Sequence, residues 1–307
     1  MSMTVLLAQT LNGLQLAMLL FLLAAGLTLV FGIMDLINLS HGTLYMMGGY
    51  FAATVFQATG SFWLAAAAAV PLSFLLGVAL EVLLLRYTYR RNHLDQVMVT
   101  FGVLVFFEDL VRLIWGNTSQ RLAMPELLQG QVELLPGVVY PIYRLAIIVL
   151  GVAVVVGLYL LVQRTRLGML IRAGASNRRM VSALGVNIGL LFTLVFALGA
   201  ALAGLAGAVI GPLTSVEPGM SNSVLIPAFV IVVVGGIGSI RGALVAALAL
   251  GLIDTVGRAL IAAALHGFLP PAMASGITPA LASILLYVMM AAVLVLRPSG
   301  LFPAPGR

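Results

Sequence analysis

The chain has 307 residues, 62% of them hydrophobic and 8% charged, with a mean hydropathy of +1.18. A soluble domain carries roughly a quarter charged residues, so this composition excludes one and makes the bilayer the main solvent of the chain. The charge is 15 arginines against 9 acids, with no lysine and no cysteine, which removes a P-loop or Schiff-base lysine, disulfides, thiolate nucleophiles and zinc–thiolate sites within these residues.

Apolar runs near the ~20 residues that span a bilayer fall at 12–33, 43–59, 62–85, 97–115, 142–163, 189–211, 224–240, 242–264 and 279–296. The runs 43–59 and 224–240 are short and contain glycine, which fits re-entrant or broken helices. The expected fold is an all-α polytopic membrane protein of about eight to ten transmembrane segments, forming one transmembrane domain over 1–307. No basic residue precedes Arg86, so the N-terminus lacks the charged region of a signal peptide and is expected to insert as it stands.

Arginine placement gives an orientation, because cytoplasmic loops retain positive charge. Arg86, Arg90 and Arg91 lie in one connection, and Arg164, Arg166, Arg172, Arg178 and Arg179 lie in another at 164–188 that holds no acid. Both are expected inside, with 116–141, which carries Glu126 and Glu133, outside. Alternation then places Arg241, Arg297 and Arg307 inside. The high isoelectric point thus answers to membrane orientation, and no nucleic-acid partner is expected. The side of the N-terminus depends on whether 43–59 crosses fully.

Polar residues interrupt apolar sequence at 26–50, GLTLVFGIMDLINLSHGTLYMMGGY, through Asp35, Asn38, Ser40 and His41. Such a cluster fits a discontinuous element lining a translocation path, since polar side chains satisfy the backbone opened by a helix break. It also fits an interfacial turn. Charges inside the spans come as i, i+4 pairs, Glu108 with Arg112 and Asp254 with Arg258, which reads first as structural ion pairing. A zwitterionic substrate could exploit either pair; Asp254 is nearer mid-membrane.

The stretch 164–187, RTRLGMLIRAGASNRRMVSALGVN, sets Ala173, Ala175, Met180, Val181 and Leu184 between arginines, as in a short amphipathic helix on the membrane surface. Solvated charge explains the arginines, while the small residues and Gly185 suit docking into a groove on another protein. At 196–212 small residues recur at four-residue spacing, the pattern of close helix packing. At 229–251 Gly235, Gly236, Gly238 and Gly242 punctuate apolar sequence, which serves either tight packing or an unwound helix on the path. A likeness between NLSHGTLYMMGGYFAA (38–53) and GSIRGALVAALALG (238–251) is too faint to establish a repeat. No HExxH, GxSxG or metal-ligand cluster is present, so neither catalytic residues nor a metal are expected.

In order along nearly the whole chain, the segments 26–50, 164–187, FALGAALAGLAGAVIGP (196–212) and VVVGGIGSIRGALVAA (232–247) resemble the shorter permease of bacterial branched-chain amino-acid ABC importers. The resemblance implies a transport subunit of the bacterial inner membrane that binds no cofactor itself. Its implied partners are a second related permease, two cytoplasmic ATPase subunits and a periplasmic substrate-binding protein. It places Asn38, His41 and Gly42 at the polar step of the path, with Ser40, Gly235, Gly236 and Asp254 as further path candidates. It also identifies Arg172, Ala173, Ala175, Asn177 and Gly185 with the cytoplasmic segment that contacts the ATPase. This sequence departs from the family pattern at Asn177, usually acidic, and at Gly174, often alanine. An ion-coupled secondary transporter and a passive channel for a small solute such as urea or amides are the alternative functions.

Overall fold

A computed structural model describes residues 3–89 and 91–302; Arg90 and Arg307, counted above with the cytoplasmic arginines, lie outside the described residues. The chain is helical almost throughout: α1 (Met3–Met34), α2 (His41–Thr59), α3 (Phe62–Leu83), α4 (His93–Trp115), α5 (Ile142–Arg164), α6 (Arg166–Ser176), α7 (Arg178–Ala183), α8 (Ile188–Thr214), α9 (Met220–Gly235), α10 (Ile240–Leu252), α11 (Arg258–Leu265) and α12 (Pro271–Leu296). A π-helical turn, Ile253–Gly257, joins α10 to α11, and a small antiparallel hairpin, β1 (Gln131–Leu135) with β2 (Val138–Pro141), precedes α5. By length and composition, six helical runs can cross a membrane: α1, α3, α5, α8, 240–265 and 272–296. The shorter α9 is apolar as well.

Local sequence fixes many of the helix starts. Ser61, Asn92, Thr165, Asn177, Asn187 and Ser239 each place a side-chain oxygen on a free backbone N–H in the first turn of α3, α4, α6, α7, α8 and α10. The helices α2 and α9 have no such side-chain cap.

The core is α1 against α8, flanked by α2, α3, α9 and α10. Glycine sets these distances. A Cβ on Gly26 of α1 would lie 2.6 Å from the Gly199 carbonyl oxygen of α8, and one on Gly48 of α2 would lie 2.2 Å from Gly204 Cα. Lipid tails are as apolar as leucine, so association rests on this close van der Waals contact.

Helix directions follow from the same contacts. The α1 residues Gly13 and Gly32 sit beside Gly251 and Gly238, so α1 and α10 are antiparallel; Gly77 beside Ala197 and Gly204 beside Ser73 make α3 and α8 antiparallel. Gly174 touches both Ile33 at the end of α1 and Leu191 at the start of α8, which therefore also run oppositely. Thus α1–α2–α3 and α8–α9–α10 are two copies of one unit in inverted orientation. The joint of each copy matches: Gly60 (φ 68) precedes the cap Ser61, and Gly238 (φ 82) precedes the cap Ser239. The faint sequence likeness pairs the start of α2 with the start of α10, whereas the structural counterpart of α2 is α9.

The arginine-rich connections share one end of the bundle. Arg86 bonds Thr193 near the start of α8, Arg178 lies over Phe192, and the stretch after Arg297 runs against Val234 and Gly235. At the opposite end Arg144 bonds Asn12 of α1. The positive-inside rule then puts the start of α1 outside, the point the sequence left open.

Replacing Gly26 with valine should force α1 off α8 at a cost of about 1–3 kcal/mol or more. Gly102→Val on α4, where a Cβ meets nothing within 4 Å, should be tolerated. Thermal melting of the two detergent-solubilised variants checks this.

Candidate functional site

The first site is the break between α1 and α2. After Met34 the backbone turns at Asp35, which adopts a left-handed φ of 54°, a conformation aspartate tolerates better than most residues. The chain then reverses, and His41 Nε2 donates to the Leu23 carbonyl of α1 at 3.0 Å. The α2 helix therefore starts beside a residue eleven positions before the α1 end, about 16 Å inside the helix by its 1.5 Å rise. Its counterpart α9 starts at the same depth, since a Cβ on Gly42 would lie 2.8 Å from the Ser221 carbonyl oxygen. Two helices thus begin inside the bundle, N-terminus against N-terminus, one running to each end.

The predicted path residues Asn38, Ser40, His41 and Gly42 all come together here, but within the core. Asn38 and Ser40 are fully buried, His41 nearly so, and Ser40 Oγ donates to Asn38 Oδ1 at 2.5 Å. Asn38 Nδ2, His41 Nδ1 and Thr43 Oγ1 have no hydrogen-bond partner among the described residues. In this arrangement these groups are closed off from solvent. Gly235 and Gly236 lie elsewhere, at the turn into α10. Gly235 is packed on the Gly242 backbone, while Gly236 (φ 103) faces the Phe302 carbonyl, so both serve close packing.

The intramembrane charges follow the expected pattern at one pair only. Arg258 Nη2 bonds Asp254 at 2.7 Å beside the π-helical turn. Arg112 instead bonds Asp109 at 2.8 Å, because an i, i+3 partner is already in reach. Glu108 turns the other way and accepts from Ser221 Oγ at 2.6 Å and Asn222 Nδ2 at 2.7 Å, both on α9.

The second site is the cytoplasmic segment. A single amphipathic helix is expected there, but the chain forms two, α6 and α7, broken at Asn177, whose Oδ1 caps α7 at Met180 N. Ile171, Gly174 and Val181 face inward. Arg172, Ala175, Asn177, Met180, Leu184 and Gly185 face out, and Ala173 is half-buried. The Arg172 guanidinium donates back to the Val162 carbonyl of α5. Gly185 (φ 85) closes α7 in the left-handed conformation that favours glycine.

This segment connects to the core through contacts that sequence reading missed. Arg178 of α7 stands 5.7 Å over the Phe192 ring of α8, and Phe192 meets Tyr89 edge-on at 5.3 Å. Tyr89 OH donates to Glu81 at 2.6 Å; Glu81, fully buried in α3, also accepts from Arg86 at 3.1 Å and Thr193 at 2.7 Å. Burial, reinforced by the Glu81 bond, pushes the Tyr89 phenol well above the usual tyrosine range. The available signal was Glu81 itself, the one acid in the run 62–85, five residues before Arg86. Among the described residues no cluster of three or more His, Cys, Asp or Glu could hold a metal.

The branched-chain amino acid transport system permease component model matches residues 9–294. The chain is 34% identical over 268 residues to the high-affinity branched-chain amino acid transport system permease protein BraD of Pseudomonas aeruginosa, covering 82% of this chain and 86% of that one. It is 30% identical over 277 residues to the corresponding protein LivH of Escherichia coli, covering 83% and 87%. To a probable branched-chain amino acid transport permease protein LivH of Methanocaldococcus jannaschii it is 25% identical over 264 residues, covering 82% and 81%. No solved structure matches.

Replacing the buried Glu81 with leucine should remove the acceptor of the half-buried Tyr89 hydroxyl and of Arg86, at a cost of about 1–3 kcal/mol. A lowered melting temperature for Glu81→Leu, with a smaller loss for Glu81→Gln, checks this.

Proposed function

The chain belongs to the branched-chain amino acid transport system permease family, and on that premise we propose that it is the shorter permease subunit of an ABC importer for branched-chain or related amino acids in the bacterial inner membrane. The observation that carries the reading is the α6–α7 segment. Its outer face combines exposed Met169, Met180 and Leu184 with Arg172 and Arg179, a surface with apolar anchors and positive charge at the arginine-rich end. Docked ATPase subunits would cover it, and the chain Arg178–Phe192–Tyr89–Glu81 gives their movement a packed route to α3 and α8.

The chain itself contains no lysine, so a P-loop must come from a partner. The assembly we infer has two ATPase subunits, a second related permease and a periplasmic binding protein, with the path between the two permeases. ATP binding closes the ATPases, and α6–α7 carries the motion to the break at α2 and α9. In this reading Asn38, Ser40, His41 and Gly42 act as the joint that opens, and the unpaired polar atoms there meet water or cargo only in the open state. Arg172 holds α6 to α5, while Gly185 and Asn177 set the two helix ends. The ion-coupled alternative rests on Asp254, whose charge Arg258 already neutralises.

The test is reconstitution of the chain with its neighbouring subunits in liposomes, with labelled leucine, isoleucine, valine, urea and amides offered outside. ATP- and binding-protein-dependent uptake of the branched-chain amino acids is expected; uptake by this chain alone would overturn the reading. Met180→Asp with Leu184→Asp should abolish ATPase co-purification and uptake while leaving membrane insertion and melting unchanged.

A further inference from the structure

A polar strip runs down the outer half of an otherwise apolar surface. Glu217, Thr54, Asp109, Arg112 and Asn222 are exposed along it, and Glu108 is half-exposed at its inner end. On α4 the strip follows one helix face, Glu108, Arg112 and Trp115 lying about one turn apart, and at its outer end Trp115 Nε1 donates to Thr54 at 2.9 Å while its ring packs 5.0 Å from Tyr50. Glu108 lies seven residues before the α4 end at Trp115, about 10 Å down the helix axis. Hydrocarbon does not cover exposed carboxylates and amides at that depth without a cost of several kcal/mol, so the strip faces water or a polar partner surface.

Glu108 is the unusual member. Arg112 is taken by Asp109, and among the described residues no cation forms a salt bridge with Glu108. Ser221 and Asn222 both donate to Oε1, leaving Oε2 without a partner among the described residues. Asn222, with its Nδ2 on Glu108, adds an Oδ1 acceptor beside the carboxylate. A carboxylate with one oxygen free, an amide acceptor on the adjoining side chain and no cation of its own fits a small group with several N–H donors. Its place is also telling: Ser221 is the residue against which Gly42 packs, so a ligand on Glu108 would sit at the joint where α2 and α9 begin.

We propose that this strip is the outer half of the translocation path and that the Glu108 carboxylate binds the ammonium group of the amino-acid cargo there, above the joint of α2 and α9. The proposal rests on the importer reading for the identity of the cargo, but the electrostatic character of the strip stands without it. Glu108 is a binding group, and Ser221 and Asn222 are positioning residues that hold its Oε1.

Because the chain has no cysteine, an introduced thiol is a clean probe in the complex assembled with cysteine-free partners. Asn222→Cys should react with a quaternary-ammonium thiosulfonate at least tenfold faster than with a sulfonate-bearing one, and adding Glu108→Gln should erase that preference. In liposomes Glu108→Gln, which keeps an oxygen for Ser221 and Asn222, should lower leucine uptake per ATP hydrolysed at least tenfold. Its membrane insertion and assembly with the partner subunits should match wild type, and Glu108→Asp should recover part of the uptake. No reaction at residue 222, no charge preference, or uptake by Glu108→Gln within twofold of wild type would overturn the proposal. If the wild-type complex moved no amino acid while the charge preference held, the importer reading would fail and the cation-binding strip would remain.

Discussion

Every part of this bundle depends on enclosing open backbone. A helix that begins inside a membrane leaves free N–H groups, and lipid offers them no partner. Both α2 and α9 begin that way, without a side-chain cap. They are tolerable because α1 and α8 shield them from hydrocarbon, and that shielding needs backbones near contact. Gly26 on Gly199, Gly42 on Ser221 and Gly48 on Gly204 bring them there. A side chain at any of these positions would move apart the elements that hide the broken ends.

The inverted repeat explains how one arrangement serves both ends of the molecule. The α2 helix runs outward and α9 inward from a common joint, so in the proposed mechanism separation there would open toward one side or the other according to which unit moves. The two copies are nonetheless loaded differently. The cytoplasmic end carries α6–α7 and the buried Glu81 network, a carboxylate whose oxygens are shared among Arg86, Tyr89 and Thr193. The outer end carries the polar strip that ends on Glu108. The surface proposed for docking and the carboxylate proposed for the cargo therefore lie toward opposite ends of the molecule.

Some of the site was legible in the residues. The helix break at 35–40, the short glycine-bearing runs that became α2 and α9, the Asp254–Arg258 pair and the exposed face of α6 and α7 all have local signatures: polar interruption, length, i, i+4 spacing and alternating arginine. Glu108 shows where that reasoning stops. Spacing put Arg112 within reach, but a carboxylate at 108 can equally turn toward α9, and whether Ser221 and Asn222 stand there depends on residues 113 and 114 positions further along the chain. The same holds for Glu81 and Thr193, 112 residues apart.

Composition alone determined that this is a membrane protein, because transfer free energies add residue by residue and need no fold. Arginine placement fixed which end lies inside, and serine, threonine and asparagine caps fixed where many helices start, since those are interactions within one turn. Only the tertiary structure decided which glycines touch, that α1–α2–α3 and α8–α9–α10 run in inverted orientation, and which acids are buried, paired or left without a cation. The reason is physical: α1 is apolar on every side, so its sequence carries no stripe to say which face turns inward, and the small-residue stripe of α8 marks a packing face without naming its partner. That choice is made by close contact between distant segments, where one missing Cβ decides the fit.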